Sequence, residues 1–251
     1  MESRAGEAPG RRIRLLGYTS GTRWRAKVSR GSVGNDVAQE REIKLKIEDV
    51  KALLGRLKKL GAQPVGAGPG RVHEENVIFD TPQGGLAKHG QLLRIRTMTP
   101  EGKAKSKKEK TKPRVMLTFK RPVTRPAASD RRPVPDSSHK VREEIEMEVT
   151  DAATLTTIFE GLGLSGWFRY EKYRTTYRLP GSKAWARGLL IELDQTPIGT
   201  FLELEGPAAA IDQAAAELGY SKRNYVLKNY LTLYIEECRR KDVQPVHMVF
   251  S

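Results

Sequence analysis

Charged and apolar residues alternate along much of this chain. Glu40, Glu42, Lys44 and Lys46 lie two apart, with Ile43, Leu45 and Ile47 on the other parity. A period of two predicts a β-strand with one charged and one apolar face. The charged parity returns at Arg94 and Arg96, at Lys120, at Arg142, Glu144, Glu146 and Glu148, at Lys172, Arg174 and Arg178, at Glu192 and Asp194, and at Glu203 and Glu205. The opposite parity carries Leu93, Ile95, Phe119, Ile145, Met147, Ile191, Leu193, Leu202 and Leu204. A one-residue slip would turn every one of these to the wrong face, so register is strict. Buried ions cost several kcal/mol each unless paired or liganded. Charged rows on so many strands therefore predict a closed barrel with a polar interior, its apolar outside packed by helices.

Local signals place the elements. A strand over 40–47 leads to a helix capped by Asp49, striped by Leu53, Leu57 and Leu60 and ended by Gly61. After a Gly/Pro-rich loop, strands are predicted around 75–79, 91–96 and 116–120, the first two separated by the turn cluster Asp80-Thr-Pro-Gln-Gly-Gly85. The opening then recurs at an offset of 102: Glu42–Asp49 matches Glu144–Asp151, Leu57 matches Phe159, and Gly61 matches Gly163. A strand-helix unit repeated in register predicts two halves closing one pseudo-symmetric α+β barrel. Further strands are expected over 173–179, 189–194 and 201–205, then helices over 208–218 and 224–240.

The net charge of +15 changes this picture little. Residues 1–30 carry 8 Lys+Arg against 2 acids, and residues 101–140 carry 13 against 4, which accounts for the whole excess. Both regions read as mobile and polar, so the domain division is a disordered basic extension over 1–37, a barrel domain over 38–241 with Lys/Pro-rich insertions within 101–140, and a tail over 242–251. A solvated charge run explains this basicity better than nucleic acid does, and nucleic acid is not the expected partner. No apolar run reaches the roughly 18 residues of a membrane span, and no secretory signal opens the chain. Cys238 is the single cysteine, so a reducing cytoplasm is the simplest location.

The charges divide by chemistry. Arg94, Arg96 and Arg174 offer forks that grip phosphate oxygens in pairs, and Lys44, Lys120 and Lys172 add point charge. Glu40 with Glu42 and Glu203 with Glu205, as i,i+2 pairs, suit Mg²⁺ or Mn²⁺. His73, His89, His139 and His247 have no zinc spacing. P-loop, Gly-x-Ser-x-Gly and kinase signatures are missing. Trp167, Trp185 and Tyr225 could stack a base, though core or rim positions explain such residues more often.

Glu40-x-Glu42-x-Lys44 resembles the signature of the CYTH family of triphosphate tunnel metalloenzymes. The likeness continues in order through Asn76–Leu86, Leu93-Arg-Ile-Arg96, Leu117-Thr-Phe-Lys120, Arg142–Glu146, Lys172-Tyr-Arg174, Leu193-Asp194 and Phe201–Glu205, and covers about residues 38–236. The resemblance implies an antiparallel eight-stranded tunnel acting on a triphosphate with Mg²⁺ or Mn²⁺. It implies Glu40, Glu42, Glu203 and Glu205 as metal ligands, and Lys44, Lys46, Arg94, Arg96, Lys120, Arg142, Lys172 and Arg174 as the phosphate clamp. Lys228 would reach one tunnel mouth, and Glu42, Glu144, Glu146 and Asp194 would be the catalytic carboxylates. Within the family the chain looks most like the class IV adenylate cyclases, from its Phe79-Asp-Thr-Pro turn, Val141-Arg-Glu-Glu run and Gly199-Thr-Phe-Leu-Glu. It departs from them in Gln195-Thr-Pro-Ile and in the long Lys-rich insertion. The first expectation is thus conversion of ATP to cyclic AMP and pyrophosphate. Hydrolysis of inorganic or thiamine triphosphate is the alternative, and a non-catalytic module binding polyphosphate or nucleic acid is the third. A homodimer is compatible with each.

Overall fold

The computed structural model describes residues 38–65, 70–101, 112–123 and 138–251; the expected extension 1–37 and most of the insertions within 101–140 lie outside the described residues. Strand β1 (Ala38–Ile47) is followed by helix α1 (Val50–Lys59), a two-residue strand β2 (Gln63–Pro64) and β3 (Arg71–Asp80). A single turn, α2 (Gly85–Lys88), leads to β4 (Leu92–Pro100), β5 (Arg114–Arg121) and β6 (Lys140–Val149). Then come α3 (Ala152–Gly161), β7 (Ser165–Arg178), β8 (Leu190–Thr196), β9 (Gly199–Glu205), α4 (Ala208–Glu217), the short β10 (Tyr225–Val226) and α5 (Tyr230–Arg240).

The strands pair antiparallel in the order β1-β6-β5-β4-β3-β7-β8-β9, and β9 returns to β1 with Lys44 opposite Glu203. The result is a closed eight-stranded barrel. Closure turns the charged parity inward and leaves the apolar parity for the helices to cover. Helices α1 and α4 seal one side, burying Ile43, Leu45, Leu53, Leu57, Leu202, Leu204 and Ile211 in one cluster. Helix α3 covers another side through Phe159, against Phe79 and Ile95.

The repeat is structural as well as sequential. β1 with α1 and β6 with α3 have the same bounds at an offset of 102. The carboxylate of Asp49 accepts from the Ala52 amide at 2.8 Å, and that of Asp151 accepts from Ala153 and Thr154. Each helix ends before a glycine in left-handed backbone, Gly61 at φ 76° and Gly163 at φ 80°, where a side chain would be strained.

Two elements differ from the sequence expectation. β7 begins eight residues earlier than position 173, because Phe168 and Tyr170 are apolar on the parity expected to be charged and so hide the alternation. Its first half runs past the end of β8 and pairs instead with the tail. The Glu171 amide donates to the Met248 carbonyl at 2.9 Å, and the Met248 amide donates to the Arg169 carbonyl at 3.0 Å. The last helix does not start at 224. Residues 225–226 extend along β1 opposite Lys44 and Leu45, and Asn229 caps α5 by accepting from the Thr232 amide at 2.8 Å. No helix among the described residues is long and apolar enough to cross a membrane.

Candidate active site in the barrel lumen

The barrel encloses a cavity of about 400 Å³ lined by eight basic and eight acidic residues. Near-neutral walls mean that a polyanion entering the lumen needs cations beyond those the protein supplies.

The inward rows lock together as alternating charge. Lys44 lies between Glu42 at 3.0 Å and Glu203 at 3.2 Å, and Lys140 reaches Glu42 at 2.5 Å. Arg174 donates to Asp194 from Nε at 2.7 Å and Nη2 at 2.6 Å, and also pairs with Glu192 and Glu203. Lys172 and the Tyr230 hydroxyl each donate to Asp194 Oδ2 at 2.7 Å. Lys120 bridges Glu40 at 2.5 Å and Glu144 at 3.0 Å. Arg94 donates to the Tyr170 hydroxyl at 3.0 Å and Thr118 at 3.1 Å, and Arg96 pairs with Glu74 at 3.4 Å.

The electrostatics divide the lumen. Burial alone would raise the Glu42 carboxyl, but Lys44 and Lys140 outweigh it and hold the group well below the usual carboxylate range. Burial likewise opposes the charge on Lys44, yet Glu203 and Glu42 keep its ammonium above its ordinary value. Glu74 falls to about 2 because Arg96, Lys172 and Arg174 overcome its burial. The reverse holds where β1 begins and β9 finishes. There burial, with Glu40 and Glu192 close by, pushes Glu205 up to about 8. Burial, with Glu40 and Glu146 and only partly offset by Lys120, raises Glu144 to about 7. Negative charge is in excess at this end.

The structure brings Glu40, Glu42, Lys44, Arg94, Arg96, Lys120, Arg142, Glu144, Glu146, Lys172, Arg174, Glu203 and Glu205 to one cavity wall. Asp194 is buried directly behind Lys172 and Arg174, with its donors already in place, which suits an anchor better than a proton acceptor. Lys46 keeps the charged parity but lies beyond the lumen: its side chain is 59 % exposed and pairs with Glu48 at 3.3 Å. Lys228 precedes α5 and turns to the surface, where it binds Glu236 at 2.7 Å. Glu148 and Arg114 pair outside the cavity at 3.0 Å. Three interior residues escape a reading by parity. Glu74 is hidden because Glu74-Glu75 breaks the alternation, Tyr170 because it is apolar in a charged row, and Tyr230 because it reaches in from a helix.

Comparisons with known proteins agree with this geometry. A model of the CYTH domain matches residues 38–230. The chain belongs to the CYTH domain family. A candidate adenylate cyclase of Methanocaldococcus jannaschii is 28 % identical over 204 residues, spanning 77 % of this chain and 97 % of that protein. Two solved structures share the fold. One is a candidate adenylate cyclase from Vibrio parahaemolyticus, with TM-score 0.57 and 16 % identity over 77 % of this chain and 96 % of that one. The other is a Pyrococcus horikoshii protein, with TM-score 0.57 and 22 % identity over 79 % and 99 %.

Within this CYTH domain, no three acidic, His or Cys side chains among the described residues form a ready-made metal nest. Glu42 and Glu203 already share Lys44, so a cation between them would have to displace its ammonium. Glu205 fits a hard divalent cation better, with Glu40 beside it: burial and the neighbouring carboxylates push its carboxyl up to about 8, and a cation there would draw Glu40 away from Lys120, which now bridges it to Glu144.

Proposed function

We propose that this protein is a divalent-metal-dependent enzyme that converts ATP to cyclic AMP and pyrophosphate inside the barrel. The observation that carries the reading is the convergence of Lys44, Arg94, Arg96, Lys120, Lys172 and Arg174 in one enclosed, charge-balanced lumen. Lys and Arg held by carboxylates are pre-aimed, and triphosphate oxygens can take over those bonds without the side chains being reorganised. Arg94 Nε and Asn76 Nδ2 are buried donors with no acceptor among the described residues, which suits a ligand rich in oxygen. The resemblance to a candidate adenylate cyclase favours a nucleotide over inorganic triphosphate.

The ribose 3′-oxygen attacks the α-phosphorus, the bond from that phosphorus to the bridging oxygen of pyrophosphate breaks, and the hydroxyl proton passes to a lumen carboxylate. Lys44, Lys172 and Arg174 offset charge building on the leaving group. Glu42 lines the lumen beside Lys44 and Lys140, which keep it ionised, and is placed to take the proton. Asp194 keeps Lys172 and Arg174 in position. Glu205 and Glu40 would hold Mg²⁺ or Mn²⁺, which would supply Lewis acidity to offset charge on the departing pyrophosphate.

Product analysis after incubation with ATP, inorganic triphosphate and thiamine triphosphate, each with Mg²⁺ or Mn²⁺, tests this reading. Cyclic AMP with pyrophosphate is expected. Free phosphate in its place assigns the lumen to hydrolysis, with water as nucleophile, and no product from any of the three defeats the enzymatic reading.

A further inference from the structure

The two ends of the lumen differ in chemistry. The end where β1 begins and β9 finishes carries the excess carboxylates. The opposite end, where β3 finishes and β4 and β7 begin, carries Ile78, Leu92, Ala87 of α2, Leu231 of α5 and Trp167. An apolar collar on an ionic cavity has no use for a phosphate chain alone.

Trp167 reaches that collar through a defect in the sheet. Ile78 pairs with Phe168 and Phe79 with Gly166, so Trp167 is an extra residue with no partner on β3. By parity it belongs with Arg169 and Glu171 on the outer face. The bulge resets the alternation and turns the indole to the cavity mouth, as bulges beside functional sites do. Gly166 permits it, since a Cβ there would stand 2.8 Å from Val77 Cγ1. The indole remains 42 % exposed, a large apolar surface left open to solvent at a cavity entrance. Its ring is braced by Phe168 at 5.8 Å, and the amide of Gln91 on the same rim offers both a donor and an acceptor.

We infer that this mouth binds a planar aromatic group of the substrate, of nucleobase type, stacked on Trp167 while the phosphates extend toward the carboxylate end. The inference deepens the proposed function and rests on it: the substrate is an organic triphosphate, and Trp167 sets the preference for it over inorganic triphosphate. Removing an aromatic side chain on which a base stacks weakens affinity by about tenfold or more.

The test is equilibrium binding of ATP and of inorganic triphosphate to the whole protein, with Ca²⁺ in place of Mg²⁺ or Mn²⁺ so that the phosphate charge is met while turnover is suppressed, for wild type, Trp167→Ala and Trp167→Phe. The expected result is that Trp167→Ala weakens ATP about tenfold, leaves inorganic triphosphate within about twofold, and is largely rescued by Trp167→Phe. ATP and inorganic triphosphate weakened alike, or neither weakened, overturns the stacking mouth while the tunnel reading survives. Failure of wild type to bind either ligand overturns the tunnel reading, and the mouth with it.

Discussion

The two repeated units, β1 with α1 and β6 with α3, share their boundaries, caps and alternation, yet the barrel uses them differently. In the first, Ile43 and Leu45 are fully buried beneath α1 and α4, and the inward row Glu42-x-Lys44 is sealed from water. In the second, Ile145 is 50 % exposed and Met147 43 %, and the inward row grades from Glu144 to the open Glu146 and Glu148. The difference arises in the covering helices. Beyond β9 the chain supplies α4, whose Ala210, Ala214 and Ala215 let it pack closely over β1, and no described helix does the same for β6. A binary pattern therefore fixes which way side chains point, while elements elsewhere in the chain decide how dry each face becomes.

Equivalent interior positions should then differ sharply in function. Lys44 and Glu146 occupy the same place in the two repeats, one buried between two carboxylates and the other at the rim. Lys44→Met should lower kcat/KM by about 100-fold or more, as removal of a pre-aimed charged donor does. Glu146→Gln should cost less than about tenfold. Steady-state kinetics on whichever triphosphate is turned over decides it, with circular dichroism confirming that both variants fold. Equal losses would mean that the two rows are functionally equivalent.

The outer faces give the next contrast. Leu45→Ala opens a cavity in the sealed cluster and should destabilise by about 3 kcal/mol. Met147→Ala, at the matching outward position on the uncovered strand, should cost under about 1 kcal/mol. Urea denaturation of both variants measures the gap. A large loss for Met147→Ala would show that something covers β6 in solution.

Most of the wall is legible from the sequence because closure makes parity equivalent to direction. Once Glu42 and Lys44 face inward, Glu203, opposite Lys44, must as well. Parity does not say where a lumen ends, which is why Lys46 is expected inside and lies outside; Lys228, expected at a mouth from the family resemblance alone, turns to the surface. It also fails at a bulge, so the inward turn of Trp167 cannot be read from spacing. Tyr230 arrives from a helix N-terminus, and its contact with Asp194 depends on where α5 sits, a tertiary fact without a local signature.

Glu42 and Glu144 sharpen the comparison through pH, since they too are equivalent and their carboxyls move in opposite directions. Glu144, raised to about 7, keeps its proton in the folded state over a range where the unfolded chain has lost it. It thus contributes stability below about pH 4.5 that disappears as pH rises through about 7, worth about 1–3 kcal/mol. Glu42, depressed, contributes stability above about pH 4.5 that disappears as pH falls. In chelator, wild type should lose stability relative to Glu144→Gln between about pH 5 and pH 8, and Glu42→Gln should approach wild type only in acid. Parallel profiles for the two variants would remove the electrostatic asymmetry.

The smallest effect tests the one feature the repeats share without modification. Asp49 and Asp151 cap their helices by the same geometry, each accepting from backbone amides of the first turn. Replacing either with Ala should cost about 1 kcal/mol, the usual worth of such a cap. Asp151 also accepts from the Thr154 hydroxyl at 2.5 Å, but that contact is exposed and adds little. The costs should therefore agree although the packing around α1 and α3 does not: a cap acts on its own helix terminus, and burial acts on the face. If Asp49→Ala proved several times more costly than Asp151→Ala in matched thermal melts, the sealed side would be amplifying a local defect through α1 into the lumen wall. Loss of Lys44-dependent activity in the same variant would identify that route.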